Sequence, residues 1–376
     1  MAAKDTIRAV FTAAKERHIR RILKLRRTEL TLVEYKNLIV RRDEWKACRL
    51  SDAQKKAIDL YFQQHYGRKI PYYWHRMYTA YTGCFDEKYM PELLFSTLLE
   101  EKLNPYFTAF PLQNKAFNPQ CLFAESGISG VTAPEMILHH CAGNLWDAEG
   151  RIITSDQAAD LMNDCGEVII KPTIDTMGAR GVRLLDMTVG TDCRTGEQVD
   201  TILASYGSDY IVQRRVKCHP SIARIYSDAV NTLRVITFVC RDGVKAAPLS
   251  MRIGMGGRIV DNGGIFIGVE ADGQLHDTGF SKKGITRYKE HPDTGVRFAD
   301  CRIEGVGQMV NAAITLHARL PQLKMLSWDM AYDEAGNVVI IEVNTTAQSV
   351  WFPQMVTGRS IFGDYTDEML ALIRHG

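Results

Sequence analysis

The sequence predicts an α/β protein, built as α+β lobes behind a basic helical N-terminal segment. Three observations carry that expectation. Short apolar β-runs alternate with helical stretches from about Met90 onward. A long hairpin pattern closes the chain's last third, over Leu326–Asn344. The first fifty residues hold 14 Lys or Arg against 6 Asp or Glu, an excess of eight positive charges, at helical spacing. At 376 residues the chain exceeds a comfortable single core, so two or three subdomains are expected.

The elements follow in order. Ile7, Val10, Phe11, Ala14, His18, Ile22 and Leu25 fall on one helical face, leaving a cationic face opposite. That face reads as solvated surface, or as a contact for a membrane leaflet or an acidic polymer. Ser51 opens a capped helix, SDAQKKAIDLYFQQHYG, closed by Gly67. Pro91–Lys102 is helical and runs into Leu103-Asn104-Pro105. Lys115 precedes a helical stretch ending at Gly127, and Val131–Leu138 reads as one strand. Asp156–Asp164 is a short helix; Val168–Lys171, Val182–Leu185 and Tyr210–Val216 are strands, with a helix around Gln198–Tyr206. Thr232–Cys240 and Lys245–Ile253 form a hairpin over Arg241-Asp242-Gly243. Helices follow at Val306–Leu320 and Thr366–Arg374.

The hairpin carries the sharpest chemical signal. Glu334-Ala335-Gly336-Asn337 is turn chemistry between the runs Met325–Asp333 and Val338–Val343. A symmetric four-residue turn pairs Asp333 with Val338, and the same register sets Asp329 opposite Glu342, with Asn344 on the Glu342 face. Two carboxylates roughly 5 Å apart across a ladder repel each other. With an amide oxygen beside them, they ask for a hard divalent cation, Mg²⁺ when phosphates supply the remaining oxygens. The alternative is a solvated polar face on an edge hairpin.

Upstream, Lys171 ends the apolar run VIIKP, and Gly178 and Gly181 flank Arg180 in the loop that follows. This is a loop whose N–H groups approach phosphates, or a tight hairpin turn; it has neither a Walker A nor a Rossmann pattern. Arg234 and Arg252 sit in strands with apolar neighbours, where arginines pair with a carboxylate or a phosphate. Asp261-Asn262-Gly263-Gly264 is either a plain turn or a substrate-facing loop.

Taken in order, these parts resemble the ATP-grasp superfamily, and most of all the sugar-transfer associated ATP-grasp proteins, which are related to α-L-glutamate ligase-like proteins. The resemblance rests on KYMPELLF, KLNPYF, Gln113-Asn114-Lys115, IIKP, NTLR, DNGG and IIEVN, from about Glu87 to the C-terminus. It implies that Lys115 and Lys171 contact the α and β phosphates of ATP, and that the loop Gly178–Gly181 closes over them. By the same resemblance residues Gln213 to Val216, with Gln213-Arg214 in place of a frequent acidic residue, would line the adenine mainly through backbone. It also implies that Asp329, Glu342 and Asn344 would hold Mg²⁺, and that Arg234 and Arg252 would neutralise charge on the transferred phosphoryl group and the acyl phosphate. The implied activity is an ATP- and Mg²⁺-dependent carboxylate–amine ligase acting through an acyl phosphate. It would join an amine or amino acid to a glycan- or sugar-linked carboxylate in cell-surface polysaccharide assembly. A phosphotransferase on the same scaffold and a non-catalytic membrane or glycan adaptor are the rivals.

The expected boundaries are a helical basic segment over 1–86, the N-terminal part of the ATP-grasp module over 87–166, a lid over 167–216 and the metal-bearing lobe over 217–376. A net charge of +2 gives no nucleic-acid signal, and no nucleic-acid partner is expected. Nine scattered cysteines read as reduced thiols. The start, MAAKDTIRAV, lacks a signal-peptide core, and no apolar run nears the ~20 residues of a membrane span. The expectation is a cytoplasmic protein, with the basic segment available to the inner membrane face. Specificity is expected near His139-His140, His219 and Asp261–Phe266.

Overall fold

The protein's structure is a computed structural model that describes residues 2–109, 128–173, 179–207, 209–282 and 284–374. The side chains of residues 1–11 and the helical stretch expected after Lys115 lie outside that description.

Four helices open the chain: α1 (Ala2–Val40), α2 (Arg42–Lys46), α3 (Asp52–His65) and α4 (Tyr73–Thr82). The start of α3 is set locally. Ser51 accepts from the Gln54 N–H, and the Gln54 side chain accepts from the Ser51 N–H, so two otherwise orphaned donors are satisfied. The helical run Glu92–Leu103 contains one π-turn, Phe95–Leu99.

The strands are β1 (Val131–Thr132), β2 (Met136–Cys141), β3 (Asn144–Asp147), β4 (Ile152–Ile153), β5 (Glu167–Pro172), β6 (Arg183–Asp186), β7 (Thr191–Asp192) and β8 (Tyr210–Arg214). After them come β9 (Thr232–Cys240), β10 (Gly243–Ala246), β11 (Leu249–Ile253), β12 (Ile265–Val269), β13 (Gly279–Ser281), β14 (Arg287–Tyr288), β15 (Met325–Tyr332) and β16 (Val338–Asn344). Among the described residues they make two sheets. The larger runs β1-β16-β15-β9-β11-β12-β13-β14, with β10 paired on β9; the smaller runs β4-β3-β2-β8-β5-β6-β7.

The expected single strand Val131–Leu138 is in fact two. Val131 and Thr132 pair in parallel with Val338 and Val339 of the larger sheet, whereas Met136 begins the smaller one. Pro134 lies between them and has no N–H to donate to a ladder, so the chain changes sheets there. The smaller sheet therefore draws strands from both sides of the boundary expected at residue 166.

Alternation along the larger sheet separates a core face from a site face. Leu233 and Val235 of β9, Met251 of β11, Ile267 of β12, Met330 of β15 and Ile340 of β16 pack beneath the helix Val306–His317. Burying each such side chain stabilises the fold by about 1.5–3 kcal/mol relative to exposure. The opposite face is covered in part by the N-terminal helices. Ile58, Phe62, Phe95 and Leu99 pack on Ile236, Phe238 and Met325, and Trp74, Tyr78 and Tyr81 pack with Phe266, Phe280 and Met355. What remains uncovered on that face is the floor of a cleft.

Helix α1 departs from its expected packing. Over residues 12–40 its partly or fully buried residues are Ile19, Leu23, Arg26, Leu30, Thr31, Glu34 and Leu38, spaced mostly by three or four. Ile22 and Leu25, expected on the packed stripe, are exposed. The arginines decide this. Arg26 pairs with Glu101 at 3.6 Å and stacks on Tyr106 at 4.0 Å, and Arg27 donates to the Thr97 carbonyl at 3.1 Å, which rotates the helix about its axis.

Candidate active site in the cleft between the two sheets

The site grows from the β15–β16 ladder. The expected Asp333–Val338 pair does not form; Tyr332 pairs with Val338. Asp333 instead organises a wider turn, accepting from the Ala335 and Asn337 N–H groups at 3.0 and 2.7 Å. The ladder is thus displaced by one residue near the turn. A β-bulge between Asp329 and Met330 restores it, leaving Ile341 without a partner and Asp329 opposite Glu342, as expected. The row then continues across the sheet, Asp329 opposite Arg234 and Arg234 opposite Ser250. Side chains from four strands stand in line.

Asp329 is buried, and both its oxygens are engaged. Arg234 donates from Nε to Oδ1 at 2.5 Å and from its Nη2 to Oδ2 at 2.9 Å, and Arg252 reaches Oδ2 at 3.0 Å. Burial pushes the Asp329 pKa up, but the two guanidiniums outweigh it and hold the carboxyl below its ordinary value. Arg252 also lies 3.3 Å from Asp261, which accepts from the Thr232 hydroxyl. Burial dominates at Asp261 and raises its pKa despite Arg252. Sequence reasoning left Asp261 undecided between turn and site. The usable signal was Gly264, where a Cβ would stand 1.9 Å from the Ile253 carbonyl, so the turn is pressed against β11.

Opposite this floor is the smaller sheet. Lys171 is buried at the end of β5, paired in register with Ile211, and Gln213 is buried on β8 with its amide 3.4 Å from the Pro134 carbonyl. Arg215 ties the lobes together, donating to Glu167 at 2.8 Å and to the Ser227 and Asp228 carbonyls at 3.2 and 3.0 Å. Lys171, Gln213, Arg214, Val216, Arg234, Arg252, Asp329, Glu342 and Asn344 all border one cavity of about 760 Å³. That volume accommodates a drug-sized ligand. The Arg214 guanidinium, however, is bound to Glu135 at 2.8 and 3.2 Å and to the Cys165 carbonyl, so only its backbone is offered to the cavity. Arg180 is exposed and lies off the cavity wall with Gly181, whose φ of +72° and contact with Pro172 make it a turn glycine. Lys115 and Gly178 lie outside the described residues.

His139, His140 and His219 do not border the cavity. His139 stacks on Trp146, His140 bonds the Gly207 carbonyl at 2.7 Å, and His219 caps Ser221. Asp261, Asn262 and Phe266 do border it, as do Thr232, Ser250 and Lys282, which the sequence did not single out.

The donor set fits a cation carried in by phosphates. A carboxylate has about four lone-pair positions. Three hydrogen bonds leave Asp329 one. Glu342 is half-buried at the cavity wall, and Asn344 points Nδ2 at the Ser327 carbonyl, 3.5 Å away, which offers Oδ1 as the ligating atom. Among the described residues no three His, Cys, Asp or Glu side chains gather to hold a metal alone. Mg²⁺ suits such a sparse set, because it keeps waters and substrate oxygens in most positions.

The loop beyond Asn344 is held by buried acids from the N-terminal helical region. Glu100 accepts from the Gln348 N–H at 2.7 Å and Glu92 from the Val350 N–H at 3.1 Å. Asn104 donates to the Met325 and Thr345 carbonyls, and the Gln348 side chain accepts from Ser327 at 2.6 Å. Ala347, at the crest of this loop and on the cavity wall, has φ +54°. A left-handed alanine persists only where its surroundings enforce it.

A family model described as sugar-transfer associated ATP-grasp matches residues 94–368. Among solved structures, the chain is similar to the VanG D-Ala:D-Ser ligase of Enterococcus faecalis, at 15% identity, 69% coverage of this chain, 60% of that one and a TM-score of 0.40. It is similar to a biotin carboxylase–ATP complex from Campylobacter jejuni, at 12% identity, 73% and 49% coverage and a TM-score of 0.43. It is similar to the D-cycloserine synthetase DcsG, at 14% identity, 72% coverage of both chains and a TM-score of 0.39. The chain thus spans about half to three-fifths of the first two structures. No curated protein sequence matches it.

Proposed function

The chain belongs to the sugar-transfer associated ATP-grasp family, and from that premise we propose that it is an ATP- and Mg²⁺-dependent carboxylate–amine ligase. The observation that carries the reading is the row Glu342, Asp329, Arg234 standing in one cavity with Arg252 and Lys171. Cations and carboxylates of that arrangement serve phosphoryl transfer, where positioning and charge neutralisation supply the catalysis.

In this reading Asp329, Glu342 and Asn344 would hold Mg²⁺, which when bound would offset phosphate charge. Lys171, with Lys115, holds the phosphates, and the backbone of Gln213 to Val216 lines the adenine. The acceptor's carboxylate oxygen attacks the γ-phosphorus, the bond to the β–γ bridging oxygen breaks, and ADP leaves. Arg234 and Arg252 offset the negative charge on the transferred group. The amine then attacks the acyl carbon, phosphate departs and the amine's proton is lost to solvent. The pairing of both arginines with Asp329 matters here, because it fixes their planes before substrate arrives. We propose that the acid is glycan- or sugar-linked, in keeping with the family's association with sugar transfer.

Product analysis tests the activity. Amine-dependent ADP release with a new amide supports ligation; a stable phosphate ester with no amine requirement makes the protein a kinase instead.

The N-terminal helix fits an anionic membrane leaflet. Leu25, Leu32 and Ile39, spaced by seven, are 63%, 66% and 73% exposed, an apolar ridge along α1. Over residues 12–40 eight Lys or Arg stand against three Glu, an excess of five. Apolar side chains beside a cationic face suit the headgroup boundary of a bilayer. Among the described residues no helix is long and apolar enough to cross one.

A further inference from the structure

The cavity extends beyond the groups that phosphoryl transfer needs. On the site face of the larger sheet Arg252 is opposite Phe266, and Phe266 is opposite Phe280. Lys282 is two residues past Phe280 and shares its face by alternation. Its side chain borders the same cavity, with Nζ 3.3 Å from the Asn262 Oδ1. Phe280 stands two strand spacings from Arg252, roughly 10 Å at the level of the backbone, and Lys282 lies two residues farther along. Arg234 and Arg252 close on Asp329, whereas Lys282 reaches Asn262 on the neighbouring turn.

The loop bearing Lys282 is clamped by the N-terminal helices. Arg41 donates to the Lys282 carbonyl at 2.7 Å, and Glu44 accepts from the Gly284 N–H at 2.9 Å. Arg41 and Glu44 pair with each other at 2.7 Å, both largely buried, and the Tyr81 hydroxyl donates to Glu44 at 2.5 Å. Arg41 also stacks on Trp351 at 3.7 Å, next to Phe352 of the cavity wall. Desolvating an ion pair is costly. Here it holds the Lys282 carbonyl and the Gly284 N–H, so the backbone directly after Lys282 is fixed, the preorganisation expected of a binding group.

We propose that Lys282 is an anion subsite at the outer end of the cavity, selecting acceptors that carry a second anionic group, carboxylate or phosphate, beyond the acid that reacts. The proposal rests on the ligase reading for the identity of the reacting acid. It assigns to the N-terminal helices the framing of the acceptor end of the site.

The test is calorimetry on the full chain saturated with Mg²⁺ and a non-hydrolysable ATP analogue. Three probes are titrated: D-glucuronate with one anionic group, D-glucarate with a second carboxylate, and D-glucuronate 1-phosphate with a second phosphate. At least one dianionic probe should bind roughly tenfold or more tightly than glucuronate, the factor of one charge-assisted contact. Lys282→Ala should abolish that preference, and Lys282→Arg should restore most of it. Which dianion gains tells carboxylate from phosphate. Equal affinity of all three probes, no binding of either dianion, or a preference surviving in Lys282→Ala overturns the subsite. ADP affinity, measured on the same chains without the analogue, reports separately on the nucleotide site. If ADP fails to bind wild type, the ligase reading falls; if ADP binds and the probes do not discriminate, only the subsite does.

Discussion

Asp329 stands opposite Glu342 only because a bulge on β16 cancels a one-residue displacement introduced at the turn. Without the bulge the alternation would carry Glu342 to the core face beneath the helix Val306–His317. Bulges re-aim side chains beside functional sites. This one brings together two acids that the rest of the ladder would have separated.

The two acids should respond differently to mutation. Glu342→Gln should lower turnover by roughly 100-fold or more, beyond what loss of an outer-shell partner costs, with little change in stability, since Glu342 is only half-buried. Asp329→Asn should lose activity and also about 3–5 kcal/mol of stability, because it leaves Arg234 without its carboxylate and Arg252 with Asp261 alone. Steady-state assays across Mg²⁺ concentrations, paired with denaturant unfolding, check both. Near-normal turnover by Glu342→Gln at saturating Mg²⁺ would remove it from the metal site.

Lys171→Ala should weaken ADP binding by about 1.5–3 kcal/mol, the range for a charge-assisted contact. Calorimetry with ADP reads this directly. Unchanged affinity would make Lys171 a structural residue at the end of β5.

Stability should fall as pH rises from the acid side. Burial raises the Glu100 pKa from 4.5 to about 7, against the pull of the Gln348 N–H. A carboxyl whose folded pKa lies above its unfolded one contributes stability that is fully present below the unfolded value. That contribution is lost as pH rises through the folded value. Burial shifts Glu92 and Glu34 the same way. Thermal midpoints between pH 5 and 8 should therefore decline, and Glu100→Gln should flatten part of that decline. An identical slope in the variant would mean that Glu100 titrates normally.

Replacing Leu25, Leu32 and Ile39 together by Ser should abolish retention on anionic vesicles, while leaving ADP affinity and unfolding midpoint close to wild type, since all three are exposed. Deleting 1–50 should destabilise the protein, since Leu38 lies in the core with Trp74 and Phe266, and Arg41 and Glu44 hold the Lys282 loop. Vesicle retention should weaken with salt, given a Debye length of about 8 Å at physiological ionic strength. Equal retention of wild type and this triple variant at low salt would remove the ridge from any membrane contact. Retention on acidic polysaccharide but not on vesicles would name a glycan as the partner.

Much of this was legible in the sequence, because its causes are local. Caps such as Ser51–Gln54, strand runs such as VIIKP and the acid–amide spacing of IIEVN depend on neighbours within a few residues, and side-chain alternation then assigns faces. What sequence could not decide is adjacency. That β9 lies between β15 and β11, so that Arg234 and Arg252 both close on Asp329, depends on strands nearly a hundred residues apart in sequence. The bulge at Ile341, the change of sheet at Pro134, the rotation of α1 and the recruitment of Asp261, Glu100 and Lys282 have the same origin. Each is settled by which buried polar group finds its partner once the sheets and helices have assembled, and desolvation makes that choice strict. Local periodicity determined which elements form and which faces they present; tertiary packing alone determined which side chains meet.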